Sequence, residues 1–150
     1  MQLNKILVPI DFSESAIDAA RAAAGLARMS GGKLILLHVP ELPSGIDLET
    51  LIHPARGEPG IPLREYFARK ADKDFAALKE ELGDLVSAVR IRPNRKPAVE
   101  IVAEADEQDV DMIVMGSHGR VGFQRLLMGS VTETVLRQSS RPVLVITHRE

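Results

Sequence analysis

Short runs of branched apolar residues alternate with longer helix-forming stretches along the chain, and this alternation restricts its fold more than any other feature. Leu3 to Ile10 reads as a strand buried on both faces, because Ile6 to Ile10 carries no polar residue and the run closes on Pro9-Ile10-Asp11. Ser13 to Met29 follows as a helix dominated by Ala16, Ala19, Ala20, Ala23, Ala24 and Ala27, whose small side chains let it sit close to a sheet. Gly31-Gly32 ends it, as glycine commonly does past a helix C-terminus. Lys33 to Val39 is a second strand, and Leu63 to Leu82 a second helix with Phe67, Ala71, Phe75, Leu78 and Leu82 on one face. Leu85 to Ile91 is a third strand. Pro97 opens a third helix with Ile101, Val102 and Ala105 facing inward. Asp111 to Met115, Ser130 to Gln138 and Pro142 to Thr147 complete the pattern as strand, helix and strand.

Five strands alternating with four helices imply βαβ units and a mostly parallel sheet. Right-handed crossovers make a Rossmann-like α/β architecture the simplest solution: one doubly wound five-stranded parallel sheet with helices on both faces. No internal repeat or second domain is evident, so residues 1–150 are expected to form one domain. Residues 40–62, rich in Pro and Gly, form an irregular excursion expected to lie over a ligand.

Composition removes several classes of function. Aromatic residues are 3%, too few for base-stacking surfaces, and a net charge of -2 offers no field to nucleic acid or anionic lipid. The chain has no cysteine, which excludes disulfides, thiolate metal sites and cysteine nucleophiles. No apolar run approaches the roughly 20 residues of a spanning helix. The expectation is a soluble cytoplasmic protein that binds neither nucleic acid nor membrane.

Open α/β sheets bind ligands beyond the carboxyl ends of their strands, where strand order reverses. Three segments reach that edge with unusual residues: Pro9-Ile10-Asp11, His38-Val39-Pro40 and Gly116-Ser117-His118-Gly119. The last opens a loop reading Gly116, two residues, Gly119, nine residues, then Gly129-Ser130. Glycine lets the backbone approach an anion, and a helix beginning at Ser130 adds N–H donors and the positive end of its dipole. Ser130 and Glu133 also match a capping box. Glycine pairs at that first spacing are common by chance, as Gly57/Gly60 and Gly119/Gly122 illustrate; the whole pattern is expected by chance in roughly 1% of chains or fewer.

Four segments together resemble the universal stress protein family: Lys5 to Ser13, Asp111 to Gly119, Leu127 to Val131, and Arg141 to Ile146. The resemblance spans the chain apart from residues 40–62 and implies an adenine nucleotide alpha hydrolase-like fold. The family's ATP-binding members carry G-x2-G-x9-G-[S/T], complete here. Carried over, the resemblance implies Asp11 at the adenosine end and the Val39 backbone on the adenine. Gly116, Gly119, Gly129 and Ser130 would surround ribose and phosphates, with Pro9, Met115, Ser117, His118, Arg120 and Val131 beside them. It further implies ATP accompanied by Mg2+ or Mn2+, a homodimer through strand 142–147, an unidentified regulatory protein partner and a role in stress response. One departure is Lys96, where the family often has glycine before the residue equivalent to Pro97.

Other readings stand beside these. Asp11 either caps the first helix, with Glu14 three residues on, or contacts nucleotide. Arg120 and Arg125 either neutralise phosphates or stay solvated. His38 and His118 share the ligand edge, but their spacing matches no zinc signature. No Walker loop, early dinucleotide fingerprint or nucleophile elbow occurs, and no base stands ready to activate water. ATP-responsive regulation therefore leads, with slow ATP hydrolysis or phosphotransfer, or protein interaction with incidental nucleotide, as the alternatives.

Overall fold

The computed structural model describes residues 1–118 and 128–148. Strands β1 (Lys5–Pro9), β2 (Lys33–His38), β5 (Val86–Ile91), β6 (Met112–Gly116) and β7 (Val143–Ile146) form one sheet ordered β5-β2-β1-β6-β7, with every pairing parallel. Strand order thus runs one way from β1 to β5 and the other way from β6 to β7. The reversal falls between the neighbours β1 and β6, so their carboxyl ends are where a crevice must open.

Ile6 and Val8 join one core cluster while Leu7 joins the other, as the two-residue period of a strand requires. Helices α1 (Glu14–Ser30) and α2 (Leu63–Leu82) cover the first face; α3 (Pro97–Glu107) and α4 (Ser130–Gln138) cover the second. Ala16, Ala19, Ala20, Ala23, Ala24 and Ala27 of α1 are all buried, and the helix packs closely against β6. Gly31 ends α1 at φ +76, and the Gly31 and Gly32 N–H groups both donate to the Ala27 carbonyl. Gly32 cannot be larger, because a Cβ there would stand 1.9 Å from the Leu3 carbonyl oxygen.

Three local expectations need correction. Residues 40–62 are not wholly irregular: β3 (Leu51–Ile52) pairs antiparallel with β4 (Ile61–Pro62), and this small hairpin packs on α2. Strands of two residues are too short to leave a period in the sequence. The Thr50 and Leu48 carbonyls accept from the Leu63 and Arg64 N–H groups, so the excursion caps the start of α2. In α3, Val102 is only half-buried and Glu104 is fully buried instead. Ser130 is not an N-cap: Gly129 holds that position, and the Glu133 carboxylate pairs with Arg137 one turn on. No helix among the described residues is long and apolar enough to cross a membrane.

Candidate functional site

The β1–α1 turn builds the first wall of the crevice. Asp11 Oδ1 accepts from the Ser13 backbone N–H at 3.0 Å and from Ser13 Oγ at 2.5 Å. Ser13, not Asp11, is the N-cap of α1, its Oγ accepting from the Ala16 N–H at 3.3 Å. Asp11 therefore orients the cap while its side chain lines the crevice. Between them Phe12 adopts φ +63, a left-handed conformation that costs about 1–3 kcal/mol for such a residue. Its ring is held edge-on against His38 and Phe75, with centroids 5.1 and 4.8 Å away. His38 in turn donates from Nδ1 to the Ile10 carbonyl at 2.7 Å. This packing places His38 on the α1/α2 side of the sheet, whereas His118 lines the crevice. Among the described residues no three acidic or histidine side chains gather as a metal-binding group.

The β6–α4 connection builds the opposite wall. A Cβ on Gly116 would stand 2.3 Å from Ser15 Oγ and 2.7 Å from the Ser15 carbonyl carbon, so glycine here admits the first turn of α1. Ser15 Oγ donates to the His118 carbonyl at 2.6 Å, and Thr132 Oγ1 donates to the Gly116 carbonyl at 2.9 Å. The Gly129 N–H donates to the Ser117 carbonyl at 2.6 Å, which fixes Gly129 as the cap and sets Ser130 one position into the helix. Ser130 and Val131 thus stand in the first turn of α4, where backbone N–H groups have no intrahelical acceptor.

Between these walls lies a cleft of about 470 Å3, a size typical of small-molecule sites. It collects nine of the expected residues: Pro9, Asp11, Val39, Met115, Gly116, His118, Gly129, Ser130 and Val131. Ser117 stands behind the surface, fully buried, with its N–H donating to the Ile146 carbonyl and its Oγ 2.8 Å from His118 Nδ1. Gly119 and Arg120, with Arg125, lie outside the described residues. Within residues 40–62 only Pro40 and Glu41 line the cleft or its neighbouring cavity, so the described hairpin does not roof the site.

Several lining residues escape the sequence reading. Glu41 carries no motif. Pro97 is legible only as a helix start, although it and Ile101 bring α3 to the cleft. Thr132 reads as one more helical residue until its bond to the Gly116 carbonyl is seen. The charged acids lining the cleft, Asp11 and Glu41, belong to the ends of β1 and β2, while the start of α4 lies across the cleft. One end of the cleft is therefore negative, and the other carries the positive pole of a helix.

A third wall rests on a buried ionic network. Glu104 is fully buried in α3, with Oε1 at 2.9 Å from Arg90 Nε and Oε2 at 2.6 Å from an Arg92 terminal nitrogen. Arg92 also meets Glu100 at 2.6 Å and Glu107 at 2.7 Å. These bonds, with that to Glu107 the largest cause, hold the guanidinium pKa well above its ordinary value. Arg92 correspondingly holds the Glu107 carboxyl below its usual range.

Comparison with known proteins agrees with this architecture. The family model described as the universal stress protein family matches residues 2–147. Universal stress protein MJ0577 of Methanocaldococcus jannaschii is 33% identical, over 97% of this chain and 96% of its own. The solved structure of MJ0577 superposes with a TM-score of 0.79 at 30% identity, covering 100% of this chain and 99% of that one. Universal stress protein YxiE of Bacillus subtilis is 32% identical, over 95% of this chain and 98% of its own. A universal stress protein from Archaeoglobus fulgidus, solved in complex with dAMP, superposes with a TM-score of 0.62 at 25% identity, covering 97% and 99% of the two chains. With a parallel sheet that reverses at β1 and β6 and a family match over nearly its whole length, the chain belongs to the universal stress protein family.

Proposed function

We propose that this chain is an ATP-binding regulatory protein, working as one unit over residues 1–150, whose nucleotide lies across the β1/β6 reversal. The observation that carries the reading is the polarity of the cleft, with Asp11 and Glu41 at one end and the start of α4 at the other. A carboxylate accepts hydrogen bonds from ribose hydroxyls and repels phosphate, while a helix N-terminus attracts phosphate. Adenosine then lies toward Asp11 and Val39, and the phosphates lie toward Ser130 and Val131. Since Ser117 takes the Gly129 N–H, the donors offered to phosphate from this side are the Ser130 and Val131 N–H groups and Ser130 Oγ. Met115 and Val39 give the base and sugar apolar walls. The dAMP bound by the Archaeoglobus fulgidus relative supports an adenine nucleotide as the ligand class.

Mg2+ or Mn2+ would accompany the phosphates at the α4 end, away from Asp11 and Glu41, and no group of three acidic or histidine side chains gathers there among the described residues to hold it. The phosphates and water would carry most of the ion's coordination, and the ion would offset their charge. Calorimetric titration of nucleotide-stripped protein with ATP and magnesium, and then with AMP, tests the reading. ATP is expected to bind clearly more tightly than AMP. Equal affinities would remove the phosphate-reading role of the α4 end, and no heat with either would overturn the assignment.

The same proposal includes a cytoplasmic homodimer that acts on a regulatory partner during stress. Its support is β7, an outer strand of the sheet, where Leu144 is 37% exposed and Leu136 of the adjoining α4 is also exposed. An apolar outer strand invites pairing with a second copy through residues 142–147. Light scattering at micromolar concentration should give a dimer, and Leu144→Lys a monomer. A monomeric wild-type protein would refute the interface.

A further inference from the structure

Glu41 lies at the adenosine end of the cleft in the proposed reading, which gives it no contact of its own with the base. It lines the main cleft and also a second cavity of about 330 Å3, bounded by Phe67 and Lys70 of α2. Asp11, Val39 and Pro97 line both spaces as well, so these residues form the divide at the base end of the cleft. Glu41 is two residues past Val39, beyond the carboxyl end of β2.

The backbone on either side of Glu41 is clamped by Asn94. The Asn94 N–H donates to the Pro40 carbonyl at 3.1 Å, and the Leu42 N–H donates to the Asn94 carbonyl at 3.5 Å. Asn94 is itself tied down, its Nδ2 donating to Glu100 Oε1 at 2.5 Å. Glu100 joins Arg92, and Arg92 joins the buried Glu104. A fully buried carboxylate is a costly way to pack a helix on a strand. Here the ionic network also fixes the loop that carries Glu41 and the helix that carries Pro97, two edges of the same divide.

We infer that Glu41 reads the amino edge of the purine base, held in register by Asn94 as a positioning residue. This rests on the cleft being an adenine-nucleotide site. An ionised carboxylate only accepts hydrogen bonds. Adenine presents an N6 amino donor where hypoxanthine and guanine present an O6 acceptor. A carboxylate at this edge therefore favours a 6-amino purine and repels a 6-oxo purine. Glutamine at the same position keeps the shape but adds an amide donor, which suits O6.

The test is competition between ATP and inosine triphosphate for wild type, Glu41→Gln and Asn94→Ala, with melting curves to establish that each protein is folded. Wild type is expected to prefer ATP. Glu41→Gln is expected to bind ATP about tenfold more weakly, the loss of one charge-assisted hydrogen bond, and inosine triphosphate more tightly than wild type does. Asn94→Ala keeps the backbone bonds to Pro40 and Leu42 but removes the side-chain tie to Glu100 that fixes them, and is expected to lower the ATP preference in the same direction, an effect that loss of stability alone does not produce. Wild type that binds both equally, or Glu41→Gln with a preference within twofold of wild type, overturns the role of Glu41. An Asn94→Ala preference equal to wild type overturns the role of Asn94. Wild type that binds neither nucleotide overturns the reading of the cleft and this assignment together.

Discussion

Replacing Gly116 with alanine is the most direct test of how the cleft is built. The added Cβ would meet Ser15 Oγ at 2.3 Å, the Ser15 carbonyl carbon at 2.7 Å and the Ala16 nitrogen at 2.9 Å. Rotating the Ser15 hydroxyl away relieves only the first contact and gives up its 2.6 Å bond to the His118 carbonyl. The other two are backbone atoms of α1. Ordinary contact begins near 3.4 Å, so α1 and β6 must separate by about 0.7 Å at this point. Overpacking of this kind costs about 1–3 kcal/mol, and the lost hydrogen bond adds about 1 kcal/mol. Gly116→Ala should therefore lower stability by about 2–4 kcal/mol, or the melting temperature by roughly 5–15 °C for a chain this long.

Urea unfolding with an unchanged slope is the appropriate assay, since the substitution alters packing and leaves the surface exposed on unfolding the same. Gly25 supplies the internal control. It lies inside α1, and a Cβ there would meet nothing within 4 Å, so Gly25→Ala should raise stability by about 0.5–1 kcal/mol through helix propensity alone. The two substitutions are chemically identical and opposite in predicted sign. A Gly116→Ala protein within about 0.5 kcal/mol of wild type would refute the close approach of α1 to β6.

Arg92→Leu should destabilise the chain by about 3 kcal/mol in the same assay, near the lower end for breaking a buried ion pair, because Arg90 still reaches the other oxygen of Glu104. A loss below about 0.5 kcal/mol would mean that Glu104 is not held as described. Acid should also weaken the fold through Glu107, lowered by Arg92, and Asp109, lowered by Arg141. A carboxylate whose folded pKa lies below its unfolded value contributes fully above the unfolded pKa and loses that contribution as pH falls through the folded one. Melting temperature measured from pH 6 downward should therefore begin to drop near pH 4.5 and below, and Arg92→Leu should shrink the drop. A flat profile down to pH 3 would contradict this.

The elements written in local sequence were the readable ones. The alanine stripe of α1, the Gly31-Gly32 stop and Pro97 at the start of α3 each express a demand that neighbouring residues impose. The alternation of strand and helix carried the parallel, doubly wound character of the sheet, since right-handed crossovers leave few alternatives. What escaped depends on distant partners. Nothing in α3 foretells that Glu104 is buried, because the two arginines that make burial tolerable come from β5. The capping box at Ser130 and Glu133 was locally well formed, yet the Ser117 carbonyl claims the Gly129 N–H and moves the cap by one residue.

The same distinction divides the cleft. Gly116 and Gly129 both answer to packing: one admits α1 against β6, and the other closes the β6–α4 connection back onto Ser117. Their spacing is legible because each demand falls at a set distance from the end of one strand. The closure also leaves the first turn of α4 facing the crevice, so a pattern that keeps the fold together also marks the end of the cleft to which the proposed reading assigns the phosphates. No equivalent coupling exists among the described residues at the end that the proposed reading assigns to the base. Val39 and Glu41 follow β2, Pro97 opens α3, and Asn94 holds them in relation through backbone bonds to Pro40 and Leu42. Residues assembled from separate elements have no fixed sequence spacing to each other, and Glu41 could be found only once the chain was folded. On the proposed reading, selectivity for the base can therefore be changed in this chain without touching the glycine loop, because the residues at that end can change without disturbing the approach of α1 to β6.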